Sequence, residues 1–298
     1  MHVAADDPAP FRGGDPVRAA VTSGTAEGRG PVTCGALEAS SSASDGGTLG
    51  RAAEGFLAAV QLLTRVPVPR GRFRLELAVA WLPAVGLLLG SVLAVADLML
   101  RAADVAPLVE STLLVVLLLG LTGALHADGL MDTCDAVFCV ASPARRLEIM
   151  RDPRAGAFGV VGLVSVFALK VAAIDALPAN ARLQLVILAP TLGRWAIVVV
   201  ATLFPYGRQA GLGAPLKAAA TPRNLVLASA LPLIVCAASG VEGLAIGALA
   251  ALTAVGVGRW LTRLLPGLTG DCYGAVCEVV ETVVWLLGGV SLLQSASA

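Results

Sequence analysis

Charged side chains are scarce in this sequence. Asp, Glu, Lys and Arg make up 14% of its 298 residues, and the 21 basic and 21 acidic ones cancel. That balance lacks the basic excess that a nucleic-acid partner requires, so no nucleic acid is expected. Histidine is rarer still: His2 and His126 are the whole supply, which leaves His126 as the sole imidazole for acid–base work in the folded part. The six cysteines form no CxxC pair. Cys134 and Cys139, like Cys272 and Cys277, are closely spaced, but their neighbours are carboxylates, which suit harder ions than zinc. In a cytoplasmic site those thiols are expected to be reduced, and Cys236 is expected to serve span packing. A secretory leader needs a basic start and an apolar run of roughly 7 to 15 residues, and neither occurs before Gly50. No internal repeat is evident, which weighs against a secondary transporter built from two related halves.

What the chain has in quantity is apolar. Hydrophobic residues reach 57%, and stretches near 20 residues recur, as in an all-α, polytopic helical integral membrane protein. Residues 1–50 are rich in Gly, Ala and Ser without a periodic apolar pattern and read as a disordered tail. Residues 51–298 read as a single transmembrane catalytic domain. Seven spans are predicted, at 81–100, 111–125, 159–177, 183–204, 225–239, 243–258 and 279–294. Three of them (111–125, 225–239 and 243–258) fall short of the ~20 residues a crossing needs, so they extend into their flanks or are re-entrant. Residues 56–63 are apolar but shorter still and are followed by Pro67 and Pro69, which predicts an interfacial helix.

Numbering the connections alternately puts Arg51, Arg65, Arg70, Arg72, Arg74, Arg145, Arg146, Arg151, Arg154, Arg208, Lys217, Arg223, Arg259 and Arg263 on one side and only Arg101 and Arg182 on the other. A wrong span count would scramble such a bias, so the basic side is read as cytoplasmic. The expected location is a bacterial cytoplasmic membrane, with the catalytic loops facing the cytoplasm. Lys170 and Arg194 fall near mid-span, where a charge marks a polar cavity or an internal partner such as Asp97 or Asp175.

Every segment that looks like chemistry falls on the basic side. His-Ala-Asp-Gly-Leu-Met-Asp-Thr-Cys-Asp, over residues 126–135, places Asp128, Asp132 and Asp135 at i, i+4 and i+7, one stripe of a helix. Their mutual repulsion is relieved by a divalent cation such as Mg²⁺, which takes oxygen ligands and shares them with substrate phosphates. Residues 148–159 hold Glu148 and Asp152 a turn apart, with Arg151 and Arg154 either pairing with them or recognising phosphate. Residues 205–213 offer Tyr206, Arg208 and glycines that permit close approach of a ligand; an interfacial turn anchored by Tyr206 is the alternative. Residues 269–281 carry a second acidic group, Asp271, Glu278 and Glu281, either a site or a helix-end charge.

Together with Thr-Arg-Val-Pro-Val-Pro over residues 64–69, these motifs resemble the cobalamin synthase family, the adenosylcobinamide-GDP ribazoletransferases. The resemblance runs in order from about residue 54 to 294, departing at Ala136, Cys134 and Cys272. It implies an Mg²⁺-dependent transferase that joins adenosylcobinamide-GDP to α-ribazole or its 5′-phosphate with release of GMP. Asp128, Asp132, Asp135 and Asp152 are then expected to hold the metal, with Glu148 or Asp152 as base. Substrate contacts are expected from Arg65, His126, Arg151, Arg154, Lys170, Arg194, Tyr206, Arg208, Asp271, Glu278 and Glu281. The expected partners are the corrinoid and ribazole substrates, the lipid bilayer, and a second copy or another corrinoid-assembly enzyme. A different Mg²⁺-dependent membrane prenyl- or alcohol-phosphotransferase is the alternative, ahead of a secondary transporter.

Overall fold

A computed structural model describes residues 48–68, 74–208, 211 and 213–289. The tail expected over residues 1–50 lies outside the described residues except for its last three, which already belong to the first helix. That helix, α1 (Thr48–Leu63), is followed by α2 (Leu75–Ala78), a 3₁₀ turn (Val79–Trp81), α3 (Leu82–Ala102), α4 (Pro107–Thr122), α5 (Leu125–Phe138) and α6 (Pro143–Ile149). Then come α7 (Ala157–Asp175), α8 (Arg182–Leu203), α9 (Gly213–Ala219), α10 (Pro222–Ala238), α11 (Gly240–Leu264) and α12 (Gly270–Gly289). The only β feature among the described residues is an isolated bridge between Tyr206 and Leu268. The expected all-α, polytopic membrane architecture is what the chain adopts.

Among the described residues the seven expected spans resolve into fewer candidates: four helices are long and apolar enough to cross a membrane, 75–102, α7, α8 and α11. Two bent pairs, α4 with α5 and α9 with α10, raise the number to six if each pair counts as one span. The expected spans 111–125 and 225–239 each belong to one of these pairs. The third short one, 243–258, is the middle of α11, a 25-residue helix whose ends the apolar run understates because it finishes in Arg259 and Arg263. The last expected span, 279–294, begins inside α12, and its residues beyond 289 lie outside the described residues.

The helix α8 forms the centre of the bundle. Its apolar window is 83% buried, against 28% for α7 and 22% for α11, so α8 is surrounded by protein while α7 and α11 present most of their surface outward. The amphipathic α1 buries Ala58, Ala59, Val60 and Leu63 and sets Phe56 edge-on to Trp81, ring centroids 6.0 Å apart. The turn that shapes the site joins α4 to α5. Gly123 (φ 59°) and Ala124 (φ 57°) both take the left-handed conformation, which ends α4 and swings the chain by 92° into α5. Glycine takes this conformation freely; for Ala124 it is strained.

Candidate active site

Residues 126–135 do form the expected helix, but the three aspartates do not act as one group. Asp128 is exposed and Asp132 half-buried on the outward face of α5. Asp271, at the start of α12, closes on them. Besides its partial burial, Asp132 feels the charges of Asp271, Asp128, Arg208 and Asp135. The approach of the two helices depends on Gly129 and Gly274. A Cβ on Gly129 would sit 2.7 Å from the Asp271 carbonyl oxygen, and one on Gly274 would sit 3.1 Å from the His126 backbone, so any side chain there forces α5 and α12 apart.

Asp135 turns the other way. Its two oxygens accept from the backbone N–H of Gly156 at 2.7 Å and of Gly159 at 2.8 Å. It therefore caps α7 and ties the 150–156 segment to α5, where its charge meets the positive end of the α7 dipole. Among the described residues no three His, Cys, Asp or Glu side chains gather closely enough to hold a metal ion. The four-carboxylate set of Asp128, Asp132, Asp135 and Asp152 is thus not assembled; Asp128 and Asp132, with Asp271 opposite, are the carboxylates brought together.

Arg208 joins the other motifs to this group. Its Nη1 lies 2.9 Å from Asp271 Oδ2, and its Nη2 donates to the Met150 carbonyl at the end of α6 at 3.4 Å. Thr269 caps α12 through the backbone N–H of Cys272 at 3.3 Å and also donates to Asp271 at 3.2 Å. The 204–208 segment is pinned to the α12 entrance by the Gly207 N–H to Leu268 carbonyl and Leu268 N–H to Pro205 carbonyl bonds, both 2.8 Å. Tyr206 packs on Tyr273, centroids 6.2 Å apart, and burial pushes its hydroxyl above the ordinary tyrosine range. Arg65 is exposed at the α4–α5 corner, where its backbone N–H donates to Leu121 at 2.8 Å and its side chain lies over Gly123.

Glu148 and Asp152 are not a turn apart on one helix, because α6 stops at Ile149. Glu148 pairs with Arg145 at 2.7 Å, a partner the motif had not indicated. Asp152 accepts from the Arg154 side chain at 3.0 and 2.9 Å and from its backbone N–H at 3.1 Å. Those bonds hold its carboxyl down at about 2. Arg151 is exposed and takes part in no ion pair among the described residues.

The remaining expected substrate contacts lie inside the bundle. Lys170 of α7 contacts Glu278 at 2.6 Å and Glu281 at 2.5 Å and stands 5.4 Å from the centre of the Trp285 ring. Arg194 of α8 pairs with the other oxygen of Glu281, and its Nη2 lies 3.4 Å from His126 Nδ1. All six residues are buried, none more than 6% exposed. Two cations thus meet two carboxylates between α5, α7, α8 and α12, which is internal pairing rather than an anionic pocket. The expected internal partners were also different: Asp97 bonds Arg182 at 2.8 Å, Arg182 bonds Glu110 at 2.5 Å, and Asp175 is exposed. The signal available in the sequence was the i, i+3 spacing of Glu278 and Glu281, which sets both on one face of α12 to answer two mid-span cations.

Residues 55–289 match the protein family described as cobalamin-5-phosphate synthase. The chain is 38% identical over 237 residues to the adenosylcobinamide-GDP ribazoletransferase of Synechococcus sp. (strain ATCC 27144 / PCC 6301 / SAUG 1402/1), covering 77% of this chain and 93% of that one. It is 40% identical over 237 residues to the enzyme of the same name from Stutzerimonas stutzeri (strain A1501), covering 77% and 95%. The corresponding figures for the Roseiflexus sp. (strain RS-1) enzyme are 41% over 235 residues, 76% and 85%. No solved structure matches the chain. The family match spans the described helices from α1 to α12 and takes in every motif that converges on α5, so the chain belongs to the cobalamin-5-phosphate synthase family.

Proposed function

We propose that this protein is an adenosylcobinamide-GDP ribazoletransferase. It joins adenosylcobinamide-GDP to α-ribazole, or its 5′-phosphate, by displacement at the phosphorus next to cobinamide, with a ribose hydroxyl as nucleophile and GMP as leaving group. The observation that carries this is the convergence of separate motifs on the outward face of α5: Asp271 reaches Asp128 and Asp132, Arg208 binds Asp271 and Met150, and Asp135 anchors the 150–159 segment.

Mg²⁺ fits this donor set. The ion is commonly held by one or two carboxylates and completed by substrate phosphates and water, and Asp128 and Asp132 offer two hard oxygen donors a helical turn apart. Bound there, it supplies charge neutralisation on the pyrophosphate. Arg151, in no ion pair among the described residues, would meet the phosphate of the departing GMP, and Arg154 would bring Asp152 with it. Because Asp152 stays ionised to about 2, it is a poor proton acceptor near neutral pH and serves better as a fixed negative charge; Glu148 is then the base. The α5 face looks into the cytoplasm, as the clustering of basic residues on the same side supports.

The test is release of GMP by purified protein from adenosylcobinamide-GDP and α-ribazole. Wild type should release GMP with an Mg²⁺ requirement, and Asp132→Asn should release none while remaining in the membrane fraction. Wild-type protein that turns over an isoprenoid diphosphate instead would overturn the proposal, and full activity of Asp132→Asn at limiting Mg²⁺ would overturn the metal assignment.

A further inference from the structure

On the underside of α5, away from Asp128 and Asp132, lies a cavity of about 490 Å³ bounded by α5, α7, α11 and α12. Its roof is the stripe Leu130, Thr133, Cys134 and Val137 of α5, at i, i+3, i+4 and i+7. The acidic face of the same helix is therefore turned about half a revolution away. The volume is within the roughly 300 to 1,000 Å³ typical of small-ligand sites. No charged side chain is among its lining residues, so an occupant buried in it is apolar. A corrinoid or nucleotide held by Asp128 and Asp132 is separated from it by the thickness of α5.

The position of the mouth identifies the occupant further. It opens between α7 and α11, the two helices whose apolar windows are least buried, 28% and 22%. Phe138, Phe158 and Trp260 stand at this opening. Phe138 lies 6.2 Å from Phe158 and 6.1 Å from Trp260 by ring centroids, and the three are 55%, 49% and 41% exposed. Of the three, Trp260 near the end of α11 is of the type enriched at a membrane–water interface. Arg259 and Arg263 flank Trp260 on α11, one turn apart and exposed, and enter no ion pair among the described residues. An apolar slot open to lipid, an aromatic mouth and two unpaired guanidinium groups beside it match one molecule class in both chemistry and polarity.

We propose that this cavity is a lateral site for one acyl chain of an anionic phospholipid, whose phosphate is held by Arg259 and Arg263. The chain fills the space beneath α5 and steadies the helix that carries the carboxylates on its other face. This site stands independently of the transfer reaction.

The test uses the full chain reconstituted with phosphatidylglycerol or phosphatidylcholine bearing a diazirine in mid-chain, with insertion sites read by peptide mass spectrometry. Val137 and Cys134 line the cavity and are 6% and 8% exposed, whereas Val226 of α10 is 71% exposed and reports general lipid contact. Wild type should label at Val137 or Cys134, with phosphatidylglycerol favoured roughly 10- to 30-fold, as two basic residues at a membrane surface provide. Arg259→Gln with Arg263→Gln should level the two lipids. Ser165→Trp, which fills the slot from α7, should abolish labelling at both buried positions and leave Val226 unchanged. Wild-type labelling at Val226 alone, or labelling at Val137 and Cys134 that persists in Ser165→Trp, would overturn the site. Equal labelling by the two lipids in wild type would overturn the anionic headgroup.

Discussion

Replacing Lys170 by Met separates a structural ion cluster from a substrate pocket. Lys170 contacts both Glu278, at 2.6 Å, and Glu281, at 2.5 Å, and Glu281 also pairs with Arg194. In wild type two cations face two carboxylates; in Lys170→Met one buried carboxylate is left without a counter-charge. Removing one partner of a buried pair costs about 3–5 kcal/mol. A neutral hydrogen bond between membrane helices averages only about 0.6 kcal/mol, so a loss above about 2 kcal/mol identifies charge imbalance as the cause. For a domain of this size that loss lowers Tm by roughly 6 to 20 °C. The double variant Lys170→Met with Glu278→Gln removes one charge of each sign and leaves the Arg194–Glu281 pair balanced. It should be more stable than Lys170→Met alone, and a double-mutant cycle should return a coupling of at least about 2 kcal/mol. Thermal unfolding in detergent measures stability, and GMP release by the folded fraction measures function. The reasoning fails if Lys170→Met keeps its Tm and raises KM for the corrinoid, or if the double variant is the less stable of the two.

Asp135→Asn leaves the cap of α7 with a weaker acceptor; it should lose about 1 kcal/mol of stability and retain part of its activity, whereas a metal ligand would lose nearly all, and calorimetry beside the GMP assay distinguishes these. Gly129→Ala places a Cβ 2.7 Å from the Asp271 carbonyl oxygen, so α5 and α12 must separate; a fall in activity larger than the fall in Tm is expected, and unchanged kinetics would show that the Asp271 approach is dispensable. The Asp152 carboxyl, held at about 2 in the folded protein, ionises near 3.9 when unfolded. Its depressed value favours the fold above pH 4, and that contribution disappears as pH falls toward about 2. Asp152→Asn should therefore change the level of activity between pH 5 and 9 without moving either limb of the pH–rate profile. A displaced limb would make Asp152 the titrating base.

The outline of the fold was legible because apolar run length acts locally along the chain. Bends are harder to read. The corner at Gly123 and Ala124 is set by two consecutive left-handed residues, and an alanine gives no warning of that conformation. The end of α11 was obscured for a different reason: Arg259 and Arg263 break the apolar run without ending the helix. At the site, spacing placed Asp128, Asp132 and Asp135 correctly on one stripe. Periodicity alone has no means of revealing that Asp135 faces the free N–H groups of Gly156 and Gly159, 21 and 24 residues onward. The same limit applies to Lys170 and Glu281, which are 111 residues apart; sequence shows that buried charges need partners, and only packing selects them.

These assignments make α5 a helix with a separate task on each side. Outward, it presents Asp128 and Asp132 toward Asp271. On the opposite face, one turn before the cavity roof, His126 lies against Arg194 and so touches the buried ion cluster. Further along that face, Leu130 and Val137 roof the apolar cavity. A helix of 14 residues set at 92° to the one before it has little intrinsic stability, so its orientation depends on what packs against those two faces. The ion cluster is then best understood as positioning. It fixes the α5 end that carries His126, the Asp135 cap fixes the other end, and the carboxylates between them are held in place without a direct bond to either anchor. Loss of the ion cluster and loss of the Asp135 cap should accordingly both misplace Asp132, by tilting α5 about opposite ends.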